Sequence, residues 1–206
     1  MEILTESMEE SKSTAKKPCK KQLIVLSAPS GAGKTTIAHY LLSRFTDRLR
    51  FSVSATTRTK RPGEVHGKDY YFLSREEFEH RIGAGELIEY EEIFGNYYGT
   101  LHSEVDDALA RGEFLVFDVD VKGALSLRLA YPDDTFLLFI APPSLDELER
   151  RLRLRQTESD EQIAIRTARA EMEMQWQTEF DEVIVNSDLN KSLEQAEVLI
   201  EKCFHD

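Results

Sequence analysis

Ala28-Pro29-Ser30-Gly31-Ala32-Gly33-Lys34-Thr35 follows the phosphate-loop pattern G-x-x-x-x-G-K-[ST] everywhere except its first position, where Ala28 replaces glycine. Gly31 and Gly33 permit a backbone path that turns successive N–H groups inward. A helix starting at Lys34 aims its positive end at that nest, and Lys34 adds a mobile charge for β- and γ-phosphates. Thr35 offers a hydroxyl to Mg²⁺, and with Thr36 it closes the set expected to hold ATP. An ordinary Gly-rich turn would give a similar string, so the flanks decide. Leu23-Ile24-Val25-Leu26 is a short apolar run that stops at the turn cluster, and Lys34 to Phe45 is helix-compatible. Strand, loop and helix in that order are the context a phosphate loop requires.

Further along, Phe114-Leu115-Val116-Phe117 and Phe136-Leu137-Leu138-Phe139-Ile140 each precede a helical pattern, and Val183-Ile184-Val185 with Asp188 to Phe204 closes the chain likewise. Alternating strands and helices imply a parallel sheet covered on both faces. Asp118 and Asp120 stand at the end of the second run, where such sheets place their ligands. With period two their carboxylates share a side, although both residues also suit helix caps or turns. Between about Thr57 and Gly99 the texture changes to Gly, Tyr and Glu, with a short helix from Arg75 between aromatic β-like pieces at Tyr70-Tyr71-Phe72 and Tyr97-Tyr98. The fold class expected is α/β: a P-loop NTPase-type parallel sheet core flanked by helices, with a small mixed β/α insertion. The boundaries expected are a disordered tail over 1–21 and one domain over 22–206, with core 22–56 and 100–206 and insertion 57–99.

Composition narrows the function classes. The 206 residues are 41% apolar and include only two cysteines, so wholesale disorder and a disulfide framework are both excluded. Lys and Arg number 26 against 38 Asp and Glu, a net charge of −12, which argues against coating nucleic acid or an anionic membrane. Any anion site must be local. No apolar run approaches the ~18 residues that span a bilayer, and the first 21 residues lack a signal-peptide stretch, so a cytoplasmic address is expected.

A nucleotide switch would need a base-reading Asn-Lys-x-Asp. The nearest string, Asn190-Lys191-Ser192-Leu193, lacks the aspartate, and Asp120-Val121-Lys122-Gly123 is too short a match to the switch tetrapeptide to carry weight. The stretch Phe51-Ser52-Val53-Ser54-Ala55-Thr56-Thr57-Arg58-Thr59-Lys60-Arg61-Pro62-Gly63-Glu64, with Gly67-Lys68-Asp69-Tyr70-Tyr71-Phe72, closely resembles guanylate kinases. So do Gly95-Asn96-Tyr97-Tyr98-Gly99-Thr100 and Ile140-Ala141-Pro142-Pro143-Ser144. The resemblance runs in order from about Gln22 to the C-terminus. It implies transfer of the γ-phosphoryl group of ATP to GMP, giving ADP and GDP, and likewise to dGMP, giving dGDP; it also implies that the insertion is a GMP-binding lobe and that about 145–170 forms an arginine-bearing helical lid.

Carried over by position, the resemblance places Arg58, Arg61, Tyr70 and Tyr98 around the GMP phosphate. Arginine forks give charge-assisted bonds to phosphate oxygens, and tyrosine hydroxyls donate without adding charge. It places Ser54, Glu89, Thr100 and Asp120 at the guanine, with Gly99, Asp118 and Gly123 completing the GMP set. A carboxylate at Glu89 accepts from both N1–H and the 2-amino group of guanine, whereas adenine offers a bare N1; hydroxyls on Ser54 and Thr100 can donate to O6. Two positions depart from the family pattern. Lys122 stands where many relatives carry glutamine and either touches GMP or faces solvent. Gln156 stands where glycine commonly follows the Arg155 position.

In the helix from Ser144, Leu145, Leu148 and Leu152 make an apolar stripe with Arg151 and Arg155 at its flank, while Arg150 and Arg153 face away. The resemblance implies that Arg151, Arg155 and Arg166 contact the triphosphate or the transition state. Surface ion pairs with Glu147, Glu149 or Glu173 are the alternative, above all for Arg169. Lys34, Arg58, Arg151, Arg155 and Arg166 are therefore the expected catalytic set, with ATP as co-substrate and Mg²⁺ as cofactor. No general base is needed, because a GMP phosphate oxygen is already anionic. A non-catalytic guanylate-kinase-like module that binds a protein ligand is the rival class, but it should have lost the phosphate loop.

Overall fold

Leu23, Ile24, Val25 and Leu26 are fully buried, and successive side chains enter opposite cores, as an unbroken apolar run must when both sheet faces are covered. The computed structural model describes residues 20–154 and 159–205; the expected tail up to residue 19 lies outside them, as do Arg155 and Gln156. In chain order the elements are β1 (Leu23–Ser27), α1 (Lys34–Arg44), β2 (Leu49–Phe51), β3 (Ala55–Thr56), β4 (Tyr71–Phe72), α2 (Arg75–Gly83), β5 (Leu87–Ile93), β6 (Asn96–Leu101) and α3 (His102–Arg111). They continue with β7 (Phe114–Asp118), α4 (Val121–Ala130), β8 (Thr135–Ala141), α5 (Leu145–Leu154), α6 (Asp160–Met174), a 3₁₀ turn (Gln177–Glu179), β9 (Glu182–Val185) and α7 (Leu189–Cys203).

Strands β2, β7, β1, β8 and β9 form the main sheet in that order, parallel throughout. Ile24, Leu26, Val116, Leu138 and Ile140 pack on Ile37 and Leu41 of α1 and Ala196 and Ile200 of α7. The alternate residues Leu23, Val25, Leu115, Leu137 and Phe139 meet Val105 of α3 and Val121, Ala124 and Leu127 of α4. Each fully buried Leu, Ile or Phe contributes about 1.5–3 kcal/mol, so the two faces together anchor the sheet. Leu26 pairs with both Asp118 and Leu138, which sets the exit of β1 beside the acidic end of β7.

A second sheet, β4-β3-β6-β5, encloses its own small core of Ala55, Phe78 and Leu101 with Tyr71, Leu87 and Tyr97 around them. Phe78 and Tyr97 stack with centroids 5.1 Å apart. Thr56 pairs with Tyr98, so the chain enters and leaves this lobe on neighbouring strands, the geometry of an insertion. Glu104 of α3 ties the lobe to the core, accepting from Arg50 at 2.6 Å, from the Val53 amide at 3.1 Å and from the Tyr71 hydroxyl at 3.0 Å.

The expected apolar stripe of α5 packs on α6, with Leu148 and Leu152 against Ile163 and Ala170. Helix α6 opens with a capping box in which Ser159 and Gln162 satisfy each other's backbone N–H groups, and this fixes where it starts. Arg150 and Arg153 face outward, paired with Glu147 and Glu149.

Candidate active site

Between β1 and α1 the backbone turns through Gly31 and Gly33 at φ 97° and 104°, the left-handed region that glycine enters without steric cost. Gly33 is doubly constrained, because a Cβ there would lie 2.5 Å from Asn186 Nδ2. That amide, buried at the carboxyl end of β9, donates to Ala32 O at 2.7 Å and pins the loop. A cavity of about 420 Å³ opens over the turn. Of the expected ATP set, Ala28, Pro29, Ser30, Gly31, Gly33, Lys34, Thr35 and Thr36 line it; the Ala32 methyl is packed into the core instead.

Lys34 Nζ lies 2.7 Å from Asp118 Oδ1 and donates to Val119 O at 2.7 Å. Thr35 Oγ1 donates to Asp118 Oδ2 at 3.0 Å. The register of β1 with β7 causes this meeting, since it brings the first turn of α1 to the end of β7. Asp120, one strand period on, caps α4 by accepting from Gly123 N at 2.8 Å.

A second hollow, of about 430 Å³, adjoins the loop and is lined by Ser54, Tyr70, Glu89, Tyr98, Gly99, Asp118 and Asp120, with Lys34 on its wall. Seven of the residues expected at GMP thus converge opposite the phosphate loop. Thr100 stands behind them, almost wholly buried, its hydroxyl donating to Glu89 Oε1 at 2.6 Å. Gly123 lies against the other oxygen: a Cβ there would be 3.4 Å from Glu89 Oε2. Burial raises the Glu89 pKa, the Thr100 hydroxyl opposes that, and the charges of Asp120 and Glu91 push it further up. A carboxylate so placed costs free energy until donors reach it.

Arg58 and Arg61 do not line either cavity. The Arg58 guanidinium lies over the Tyr70 ring, 5.3 Å from its centroid, and Nη2 pairs with Glu64 Oε1 at 2.6 Å. Arg61 donates its backbone N–H to the same carboxylate at 2.7 Å, while its side chain is exposed. Tyr70 meets Tyr98 edge-on at 6.2 Å, so Arg58 is stacked on the aromatic wall of the hollow with a carboxylate in its fork. Lys122 is exposed and lines a groove of about 900 Å³ behind Glu89.

From α6, Arg166 Nη1 donates to Ser30 Oγ at 2.9 Å and lines the loop cavity. Arg151 donates to Asn186 O at 2.9 Å and to Glu147 at 2.8 Å; Arg155 lies outside the described residues. Sequence reasoning missed Asn186. Its signal is a buried amide directly after the apolar run Val183-Ile184-Val185, at a strand end where the sheet keeps its ligands. Also unread was the partnership of Glu64 with Arg58.

The family model described as "Guanylate kinase" matches residues 20–203. The chain is 53% identical over 177 residues to a guanylate kinase of Salinibacter ruber, spanning 85% of this chain and 93% of that one. It is 51% identical over 173 residues to a guanylate kinase of Chlorobaculum tepidum, spanning 84% and 88%. Among solved structures, guanylate kinase from Anaplasma phagocytophilum superposes with a TM-score of 0.66 at 32% identity, covering 92% of this chain and 89% of that one.

Proposed function

This chain belongs to the guanylate kinase family and transfers the γ-phosphoryl group of ATP to GMP, and from that premise we propose how its own residues perform the transfer. ATP occupies the phosphate-loop cavity and GMP the adjoining hollow. The observation that carries this assignment is that Lys34 and Asp120 line both cavities, so the reacting ends of the two nucleotides meet at the Lys34 ammonium.

A GMP phosphate oxygen attacks the γ-phosphorus as the bond to the β–γ bridging oxygen breaks, and ADP leaves. The attacking oxygen is already anionic, so the protein's part is alignment and the spreading of charge over cations. Lys34 moves from Asp118 onto the β- and γ-oxygens, with Arg166 beside the loop at Ser30 and Arg151 entering from α5; Arg155 is assigned to the same set. Arg58 exchanges Glu64 for the GMP phosphate, the exposed Arg61 side chain swings in beside it, and Tyr70 and Tyr98 donate hydroxyls.

At the base, Glu89 accepts from N1–H and the 2-amino group. The single proton of Thr100 is engaged with Glu89, so Thr100 orients the carboxylate and Ser54 is the hydroxyl left to donate to O6. The lobe and lid close over both substrates to exclude water, which would otherwise divert the phosphoryl group.

Thr35 and Asp118 suit Mg²⁺: two hard oxygen ligands 3.0 Å apart, Thr35 lining the loop cavity and Asp118 the adjoining hollow. An ion there would take most of its ligands from phosphate and water. Bound there, Mg²⁺ would neutralise β- and γ-phosphate charge.

Among the described residues no helix is long and apolar enough to cross a membrane. With a net charge of −12, small nucleotides rather than nucleic acid are the proposed partners, and the cytoplasm, where both substrates occur, is the proposed address.

ADP release measured with ATP and each of GMP, dGMP, AMP, UMP and TMP tests the assignment. Turnover is expected with GMP and dGMP, with AMP slower by about 5- to 150-fold, because a buried acceptor left unpaired costs about 1–3 kcal/mol. Comparable turnover with AMP would remove Glu89 from the base site.

A further inference from the structure

We propose that Arg169 is a positioning residue that ties the lobe to the lid, by holding carboxylates from separate parts of the molecule around one guanidinium. On its own helix, α6, Arg169 Nε donates to Glu173 Oε1 at 2.8 Å. Its Nη2 donates to Asp120 Oδ2 of the core at 3.4 Å and lies 4.0 Å from Glu91 Oε1 on strand β5 of the lobe. Arg169 also lines the phosphate-loop cavity and the groove behind Glu89, so it stands where lid, core and lobe meet. Each contact is partly exposed and weak as a stabilising pair. Their arrangement is what matters. Glu89, Glu91, Asp120 and Glu173 bring four negative charges to one junction, and without the arginine, closing the lobe on α6 would press like charges together.

The consequence is a division of labour among the lid arginines. Arg166 points to the phosphate loop, whereas Arg169 points to the base end and holds β5, which carries Glu89, in register with Asp120. Losing it should therefore weaken GMP binding more than ATP binding. This rests on the proposed placement of Glu89 and Asp120 at guanine.

The test is a double-mutant cycle on KM for GMP at low salt, with KM for ATP, kcat and thermal midpoint recorded alongside. Arg169→Gln is expected to raise KM for GMP about fivefold to tenfold, at the low end of the usual range of site-to-site coupling, with KM for ATP and the midpoint little changed. Raising the ionic strength should shrink the effect. The decisive reading is the sign of Glu91→Gln: it should raise KM for GMP when Arg169 is present, by removing a tie, and lower it in the Arg169→Gln background, by removing a repulsion. The same sign in both backgrounds, or no effect in either, would overturn the tie. Failure of the underlying placement would look different, because Glu89→Gln would then leave KM for GMP unchanged.

Discussion

Lys34→Ala is expected to lower GDP formation from ATP and GMP by about 10²–10³-fold, the usual cost of removing one preorganised charge partner of the transition state. The fold should survive. Asp118, which loses the 2.7 Å ammonium contact, keeps the Thr35 hydroxyl. The loop itself is shaped by Gly31, Gly33 and the Asn186 amide rather than by the lysine. Single-turnover transfer, read beside the thermal midpoint, checks this. Near-normal turnover would dismiss the cradle assignment, and a collapsed midpoint would show that Lys34 serves the fold instead.

Glu89→Gln should lower kcat/KM for GMP by about 10²-fold, consistent with the penalty for mismatched buried hydrogen-bonding groups, and leave KM for ATP within about twofold. The reason lies in Thr100. Its hydroxyl already donates to Glu89 Oε1, so a glutamine carbonyl would take that proton and its amide would face guanine's own donors. Donor would meet donor.

Burial, reinforced by Asp120 and Glu91, holds the Glu89 carboxyl above its ordinary value of 4.5, and the pH dependence follows. The ionised form accepts from guanine, so GMP affinity is retained above that raised pKa and lost as the pH falls through it. The ratio of wild-type to Glu89→Gln affinity cancels the titration of the GMP phosphate. That ratio should drop at a higher pH than an unperturbed glutamate would give. A flat ratio, or equal damage to ATP and GMP, would contradict the assignment.

What the sequence disclosed is what is local. Leu23-Ile24-Val25-Leu26, the glycine turn and the helix from Lys34 announce themselves because each depends on its neighbours in the chain, and the apolar runs of β7 and β8 did so for the same reason. Strand β5, Leu87–Ile93, was not recognisable as a strand. It is acid-rich and its outer end is exposed, so pairing with β6 rather than an apolar face defines it. Strand β2 and helix α3 likewise went unmarked, the first being only three residues long.

At the site, residue types were legible through resemblance, but their partners were not. Asn186 meets Ala32 across 154 positions, and the register of β9 on β8 decides that contact. Thr100 was assigned to the guanine; that its hydroxyl donates to Glu89 follows from the pairing of β5 with β6, which composition cannot reveal. Arg58 was expected at a phosphate; its pairing with Glu64, six positions along the chain, uses the same bidentate chemistry that a phosphate would engage, and resemblance gave no sign of that partner.

In the proposed arrangement two nucleotides lie end to end in adjoining hollows that share Lys34 and Asp120. Calorimetry with a bisubstrate analogue, adenosine joined to guanosine through a pentaphosphate chain, tests it most directly. The expected result is one analogue bound per chain, more tightly than either nucleotide alone and displaced by ATP and by GMP alike. Displacement by only one of them, or two analogues bound independently to each chain, would contradict it.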